Sequence, residues 1–98
     1  MKPSALSIEP QIITMAGEVG PMVRARRHAQ SLRIDDAAAL TGVSVDLFSR
    51  LENGKGAVRL DKLLTVLDGL GMALVVGPKE HPWMRLPPRP FNSDSEQP

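Results

Sequence analysis

The sequence contains no cysteine and few aromatic residues, and both deficits narrow the possible folds and sites. Without cysteine the chain forms no disulfide and no thiolate metal site. Because aromatic residues make up only 3% of the 98 residues, the core must be built from Leu, Val, Ile, Ala and Met. This composition favours packed helices over a sheet-rich fold, and the length suffices for one small domain.

The sequence also lacks a long apolar run. No stretch approaches the ~20 apolar residues that a membrane-spanning helix needs. Residues 1–15 contain one lysine and no clear cleavage site, so we do not expect a signal peptide. We therefore expect a cytoplasmic protein.

Net charge is a third feature of which the chain has little. A formal charge of +1 does not by itself indicate nucleic-acid binding. The arginines are nevertheless unevenly distributed, because residues 22–33 contain four of them and no acidic residue: Arg24, Arg26, Arg27 and Arg33. Such a strip can contact phosphates, or it can be the solvated face of a helix, and both interpretations remain open.

The distribution of proline along the chain indicates three zones. Residues 1–15 form a leader, residues 16–77 a domain, and residues 78–98 a tail that holds six of the nine prolines. Proline at this density does not sustain a helix or a central strand, so we expect the tail to be extended or disordered.

Capping and turn residues predict four helices in the domain. Pro21 suits the first turn of a helix, and Ser44 is a good N-cap. Gly42 and Gly54 provide left-handed residues at which helices end. The predicted helices span residues 19–31, 34–40, 45–52 and 60–70. The last has leucines at helical spacing that predict one apolar face: Leu60, Leu63, Leu64, Leu67 and Leu70.

A short apolar segment follows the fourth predicted helix. Residues 72–76 are rich in β-branched residues and end at Gly77-Pro78, which predicts a strand. A single strand needs a partner for its backbone groups, and the same strand of a second copy would supply it across a two-fold axis. The residues expected at this dimer contact are Met72, Leu74, Val75 and Val76. The alternatives are pairing with Ile12 and Ile13, or an extended segment packed on its own core.

The second and third predicted helices have the features of a helix-turn-helix motif. Three alanines at 37–39 allow a close helix crossing, Gly42 lies in the turn, and Val43 is an apolar plug after it. Phe48 and Leu51 would anchor the third helix to the core. The opposite face of that helix would then be available for the major groove of DNA.

Three segments, residues 19–27, 37–44 and 48–55, resemble the Xre/Cro-type helix-turn-helix family of bacterial and phage repressors. The resemblance implies an all-α domain in which Arg27 and Glu52 form an ion pair. It also implies DNA contact by a set of residues in and around the recognition helix: Arg33, Ser44, Val45, Asp46, Leu47, Ser49, Arg50, Asn53 and Lys55. The chain departs from the family at Arg33 and Ile34, where a capping Ser or Thr followed by Gln is usual.

Within this set, individual roles differ. Arg50 is the best candidate for a bidentate contact with guanine, and Val45 or Leu47 for contact with a thymine methyl. Asp46 would accept from a cytosine amine or stabilise the helix N-terminus. Arg59 lies on the following loop, which the family uses to contact phosphate.

The strand directly after a Leu-Gly helix end resembles the HipB-like antitoxins. That resemblance implies a homodimer that represses its own operon, reads a palindromic operator and binds a HipA-like kinase toxin. Trp83 in the tail would contact the toxin, or it would fold back on the domain.

The residues give little support for metal binding, phosphate binding by a loop, or catalysis. His28 and His81 lie in different zones without ligands at metal spacing, and no phosphate-binding loop is present. We therefore expect a non-enzymatic transcriptional repressor without metal or cofactor. The alternatives are a phage-type or restriction-control regulator without a toxin, and a protein-interaction module that uses the Pro/Trp tail.

Overall fold

The computed structural model describes residues 9–84. The start of the predicted leader and the tail after Met84 lie outside the described residues. Four α-helices follow a short 3-10 turn at Ala16–Glu18, and a second 3-10 turn lies at Pro82–Met84. The helices are α1 (Val19–Ala29), α2 (Ile34–Thr41), α3 (Val45–Asn53) and α4 (Leu60–Gly69). The expectation of an all-helical domain with four helices is confirmed, and the helix ends lie within two residues of those predicted.

Local side-chain and backbone geometry explains where α2 and α3 begin and end. Ser44 Oγ accepts a hydrogen bond from the Leu47 N–H at 3.0 Å, which satisfies one of the unpaired donors at the start of α3. Gly42 ends α2 with a φ of 77°, and Gly54 ends α3 with a φ of 65°. Glycine adopts these left-handed conformations without the steric cost that a Cβ would add.

The core lies where the four helices meet. Helix α1 packs on α3, and α2 packs on both α3 and α4. Phe48 of α3 is fully buried among side chains from the other helices. The buried apolar residues are Val23, Ala37, Ala38, Phe48, Leu51, Val66, Leu67 and Leu70.

Helices α1 and α3 approach each other closely at Gly20. A Cβ added at Gly20 would lie 2.5 Å from the carbonyl oxygens of Leu51 and Glu52. These are backbone atoms near the end of α3, so they could not move aside without moving the helix. The absence of a side chain at Gly20 therefore sets the distance between the two helices.

The predicted apolar face of α4 is only partly buried. Leu67 and Leu70 lie in the core and Leu63 packs against it, whereas Leu60 and Leu64 are 62% and 44% exposed. The predicted apolar face of α4 thus extends beyond the core at Leu60 and Leu64. Helical periodicity gives the direction of a side chain, but it does not give how far the neighbouring helices extend to cover it.

The predicted strand does not form in the described chain. Residues 72–78 have no regular secondary structure, although the Met72 N–H donates to Leu67 O at 2.8 Å and its side chain packs against the core. Ile12 and Ile13 face this segment across an apolar groove without forming a ladder with it. A strand needs an edge to pair with, and no other strand occurs within residues 9–84. No helix in this range is long and apolar enough to span a membrane.

Candidate nucleic-acid interface

Helix α3 has one buried and one exposed face. Phe48, Leu51 and Glu52 point into the domain, and each is at most 7% exposed. The predicted base-reading residues Val45, Asp46, Leu47, Ser49 and Arg50 are exposed or half-exposed. A helix held firmly on one side and free on the other is the arrangement required of a recognition helix in the major groove.

An ion pair fixes α3 to α1. Arg27 Nε donates to Glu52 Oε2 at 2.6 Å, and Arg27 Nη2 donates to Glu52 Oε1 at 3.0 Å. The hydrogen bond to Glu52 raises the pKa of Arg27 above its ordinary value, so the guanidinium stays charged at every physiological pH. Two parallel charge-assisted bonds fix both the distance and the rotation between the helices.

Two further arginines of α1 are also bound within the domain. Arg24 donates to Asn53 Oδ1 at 2.7 Å and lies 3.4 Å from Glu52 Oε1. Arg26 donates to the Leu70 carbonyl at 2.8 Å, at the end of α4. From the sequence we expected Arg24 and Arg26 to contact phosphate or solvent. In the structure both side chains form hydrogen bonds with residues at the ends of other helices. Their partners are 29 and 44 residues away, so no local pattern could have found them.

The remaining candidate arginines lie on the surface, each beside an aspartate. Arg33 pairs with Asp35 at 3.3 Å. Arg50 pairs with Asp46 at 3.2 Å, and these side chains are 43% and 82% exposed. Exposed pairs of this kind are weak and screened by salt, so they leave both arginines accessible to a phosphate or a base edge.

A third such pair lies on the loop after α3. Arg59 pairs with Asp61 at 2.7 Å at the start of α4. The loop itself passes beside α3, because a Cβ added at Gly56 would lie 3.9 Å from Arg50 Nη1. Lys55 is exposed on the same loop. Cationic side chains of the loop and of α3 thus occur on adjoining parts of the surface.

The other predicted contact residues have local roles in the free protein. Ser44 is the N-cap of α3, as described above. Asn53 donates to the Ser49 carbonyl at 2.9 Å while accepting from Arg24, so its amide is held in one orientation. Such fixed polar groups lose little conformational entropy when they bind a ligand.

The departure from the expected motif at the start of α2 has a structural explanation. Arg33 is the N-cap residue but makes no side-chain capping bond. Ile34 is half-buried and packs against the core. The apolar residue therefore contributes to packing in the position where a polar one was expected.

A separate apolar groove of about 790 Å³ lies on the surface formed in part by residues 72–77. Its walls include Ile12, Ile13, Leu63 and residues 72–76. Trp83 lies at this groove with 74% of its surface exposed, and its ring meets that of His81 edge-on at 5.7 Å.

Comparison with known proteins agrees with this architecture. Residues 18–76 match the family described as "Helix-turn-helix domain". The chain is also 35% identical over 69 residues to an uncharacterized HTH-type transcriptional regulator, y4mF, of Sinorhizobium fredii (strain NBRC 101917 / NGR234). That alignment covers 69% of this chain and 91% of the relative.

Together with this fold, the family match and the HTH-type relative support the class of DNA-binding transcription regulators. Within that class, the chain belongs to the helix-turn-helix domain family, with the motif formed by α2, the turn at Gly42 and α3. Membership in this family confirms the expectation of a DNA-binding transcriptional regulator.

Proposed function

We propose that the protein is a sequence-specific repressor that inserts α3 into the major groove of an operator. The observation that carries this proposal is the exposed face of α3. On this face Arg50 projects beside the loop that carries Lys55 and Arg59, while Phe48 anchors the opposite side of the helix. Arg50 is proposed to contact guanine, with Arg33, Lys55 and Arg59 on phosphates. The proposed contact surface is completed by Ser44, Val45, Leu47, Ser49 and Asn53, and Asp46 belongs to it through its hydrogen bond with Arg50.

We further propose that the repressor is a homodimer. Residues 73–77 have no backbone hydrogen bonds to any other described residue, although Leu74, Val75 and Val76 are exposed apolar side chains beside them. A strand pair between two copies would satisfy the backbone groups and cover this apolar surface. Met72, whose side chain packs against the core, would connect this strand pair to the core of each copy. A two-fold dimer predicts a palindromic operator with half-sites about one helical turn apart, roughly 10–10.5 bp.

Selection from a random duplex library tests both parts of this proposal. The full chain should enrich a palindromic site, and binding to that site should weaken steeply as salt is raised. Light scattering should give a dimer mass at micromolar concentration. A Val75→Asp variant should become monomeric and lose affinity for the full palindrome, while keeping its helical circular dichroism spectrum. Failure to enrich any sequence would reject operator recognition, and a monomeric wild-type chain would reject the dimer.

A second function is suggested by the exposed Trp83. An indole on the surface beside an apolar groove is a frequent anchor for a protein partner. We propose that this surface binds a toxin of the HipA-like kinase type, with the chain acting as its antitoxin and repressing their shared operon. A gene for a kinase-like protein next to that of the chain would supply the probe.

Co-purification of that kinase tests the second function. The wild-type chain should retain the kinase, and Trp83→Ala should release it without changing affinity for the operator. Retention by the Trp83→Ala variant would reject the role of Trp83. Operator binding without any retention of the kinase would favour the alternative of a regulator without a toxin.

A further inference from the structure

Arg50 is held on one side only. Its Nε donates to Asp46 Oδ2 at 3.2 Å, one helical turn earlier on the exposed face of α3. Within residues 9–84, the Nη groups of Arg50 make no hydrogen bond, and Nη1 lies 3.9 Å from the position that a Cβ at Gly56 would take. The Asp46 carboxylate therefore orients the guanidinium through Nε, and the Nη1–Nη2 edge has no hydrogen-bond partner within residues 9–84.

The other two exposed pairs differ in geometry. Arg59 uses both Nε, at 3.1 Å, and Nη2, at 2.7 Å, on the carboxylate of Asp61. Arg33 uses Nη2 on Asp35 at 3.3 Å, so one of its two terminal nitrogens is already occupied. Of these three pairs, the one at Arg50 keeps both terminal nitrogens open while fixing Nε.

This difference matters for base recognition. Guanine presents two acceptors, O6 and N7, to the major groove, and an arginine fork can meet them with two parallel bonds. A guanidinium has five N–H donors and can approach through either of two edges. When a carboxylate occupies Nε, only the Nη1–Nη2 edge remains for the base, so one approach is selected before DNA arrives.

We propose that Asp46 is a positioning residue for specificity, which presents the Nη1–Nη2 edge of Arg50 to guanine. The inference rests on the proposed function of α3 as a recognition helix. The negative charge of Asp46 repels phosphate, so it weakens binding to every sequence. It improves binding only where Arg50 meets its base, which raises the ratio of operator affinity to general DNA affinity.

Two other roles of Asp46 make different predictions. A carboxylate in the first turn of α3 would stabilise the helix through its dipole alone, and its removal would alter stability but not base preference. A carboxylate that itself accepts from cytosine would act independently of Arg50. A double-mutant cycle between the two residues separates these roles from positioning.

The test measures the ratio of the Kd for random duplex DNA to the Kd for the selected operator, at one salt concentration. The variants are Asp46→Ala, which removes the acceptor, and Asp46→Asn, which removes the charge but keeps an amide oxygen for Nε. Asp68→Ala removes an equivalent exposed charge from α4 and is the control. Thermal unfolding of each variant shows whether the fold is retained at the assay temperature.

Asp46→Ala should bind random DNA more tightly and lose about tenfold in the ratio, the scale of one arginine–guanine contact. Asp46→Asn should bind random DNA more tightly yet keep most of the ratio, and Asp68→Ala should leave the ratio unchanged. In an Arg50→Ala background, Asp46→Ala should change the ratio by less than about twofold.

The proposal is overturned if Asp46→Ala keeps the wild-type ratio, if Asp46→Asn loses as much as Asp46→Ala, or if the loss persists without Arg50. Each of these results leaves operator recognition intact. If the wild-type chain selects no sequence at all, the proposed function fails, and the role of Asp46 fails with it.

Discussion

Arg27 and Glu52 are joined by two hydrogen bonds, of 2.6 and 3.0 Å, that link the first helix to the end of the third. The Glu52 side chain is 2% exposed, so its carboxylate depends on donors from the protein rather than on water. Arg27 also donates from Nη1 to the Leu32 carbonyl at 3.0 Å, which fixes the segment between α1 and α2. One guanidinium thus links α1 both to α3 and to the segment that precedes α2.

Glu52→Gln should destabilise the domain substantially. The neutral amide leaves Arg27, whose side chain is 13% exposed, without a charged partner in a site that water scarcely enters. Breaking such a pair costs several kcal/mol, and because the arginine keeps a path to solvent we expect about 2–4 kcal/mol. Urea unfolding followed by circular dichroism measures this loss.

The exposed pair between Arg59 and Asp61 gives a matched control for that experiment. Its side chains are 77% and 59% exposed, so Arg59→Gln should cost less than about 1 kcal/mol. Equal losses in the two variants would contradict the importance assigned to the Arg27–Glu52 pair.

Gly20→Ala should destabilise the domain despite the higher helix propensity of alanine. The new methyl group would overlap the carbonyl oxygens of Leu51 and Glu52, forcing α1 and α3 apart at a cost of about 2 kcal/mol or more. Gly17→Ala is the control, because nothing lies within 4 Å of a Cβ at that position. A drop in melting temperature for the Gly20 variant alone is the expected result, and a stabilised Gly20→Ala would refute the close approach.

The sequence predicted those features that depend on neighbouring residues. Ser44, Gly42 and Gly54 act within one turn of the backbone, so their identities were sufficient to predict the ends of α2 and α3. The apolar spacing of Phe48 and Leu51 likewise predicted the buried face of α3. Because these residues fix the ends and the buried face of α3, its exposed face could be predicted as well.

Features that depend on distant contacts were not predictable in the same way. Arg26 and Gln30 both donate to the Leu70 carbonyl, which lies 44 and 40 residues further along the chain. The exposure of Leu60 depends on where neighbouring helices end, and strand formation by residues 72–76 depends on a pairing edge that residues 9–84 do not provide. The spacing of apolar residues indicates neither where a neighbouring helix ends nor whether a second strand is available for pairing.

The turn before α1 should respond to acid through Glu18. Its carboxylate accepts from the backbone N–H groups of Thr14, at 2.7 Å, and Met15, at 3.1 Å, and these bonds lower the pKa of Glu18 below its ordinary value of 4.5. A lowered pKa means that the stabilisation is complete above 4.5 and is lost as the pH falls through the folded-state pKa.

NMR titration of the Thr14 and Met15 amide signals measures this transition directly. Both signals should move together with a midpoint below pH 4.5, and Glu18→Gln should abolish the shared transition because an amide does not titrate in this range. A midpoint at or above 4.5 in the wild-type chain would contradict the hydrogen-bonded carboxylate.

The proposed division of labour between Arg33 and Arg50 predicts different losses on DNA. Arg33, with 80% of its side chain exposed, would contact phosphate. Arg33→Ala should therefore weaken operator and random DNA alike and reduce the slope of log K against log salt by about 1. Arg50→Ala should instead weaken the operator selectively, by about 1–3 kcal/mol, and flatten the preference at one base pair of each half-site.

Fluorescence anisotropy titrations over a series of salt concentrations, with operator and random duplexes, distinguish the two effects. Lys79→Ala removes one exposed cation from the segment after α4 and should change neither the slope nor the preference. If Arg33→Ala altered base preference, or if Arg50→Ala weakened all sequences equally, the assigned roles would have to be exchanged. The salt slope decides between them because phosphate contacts release counterions, whereas a hydrogen bond to a base edge releases few.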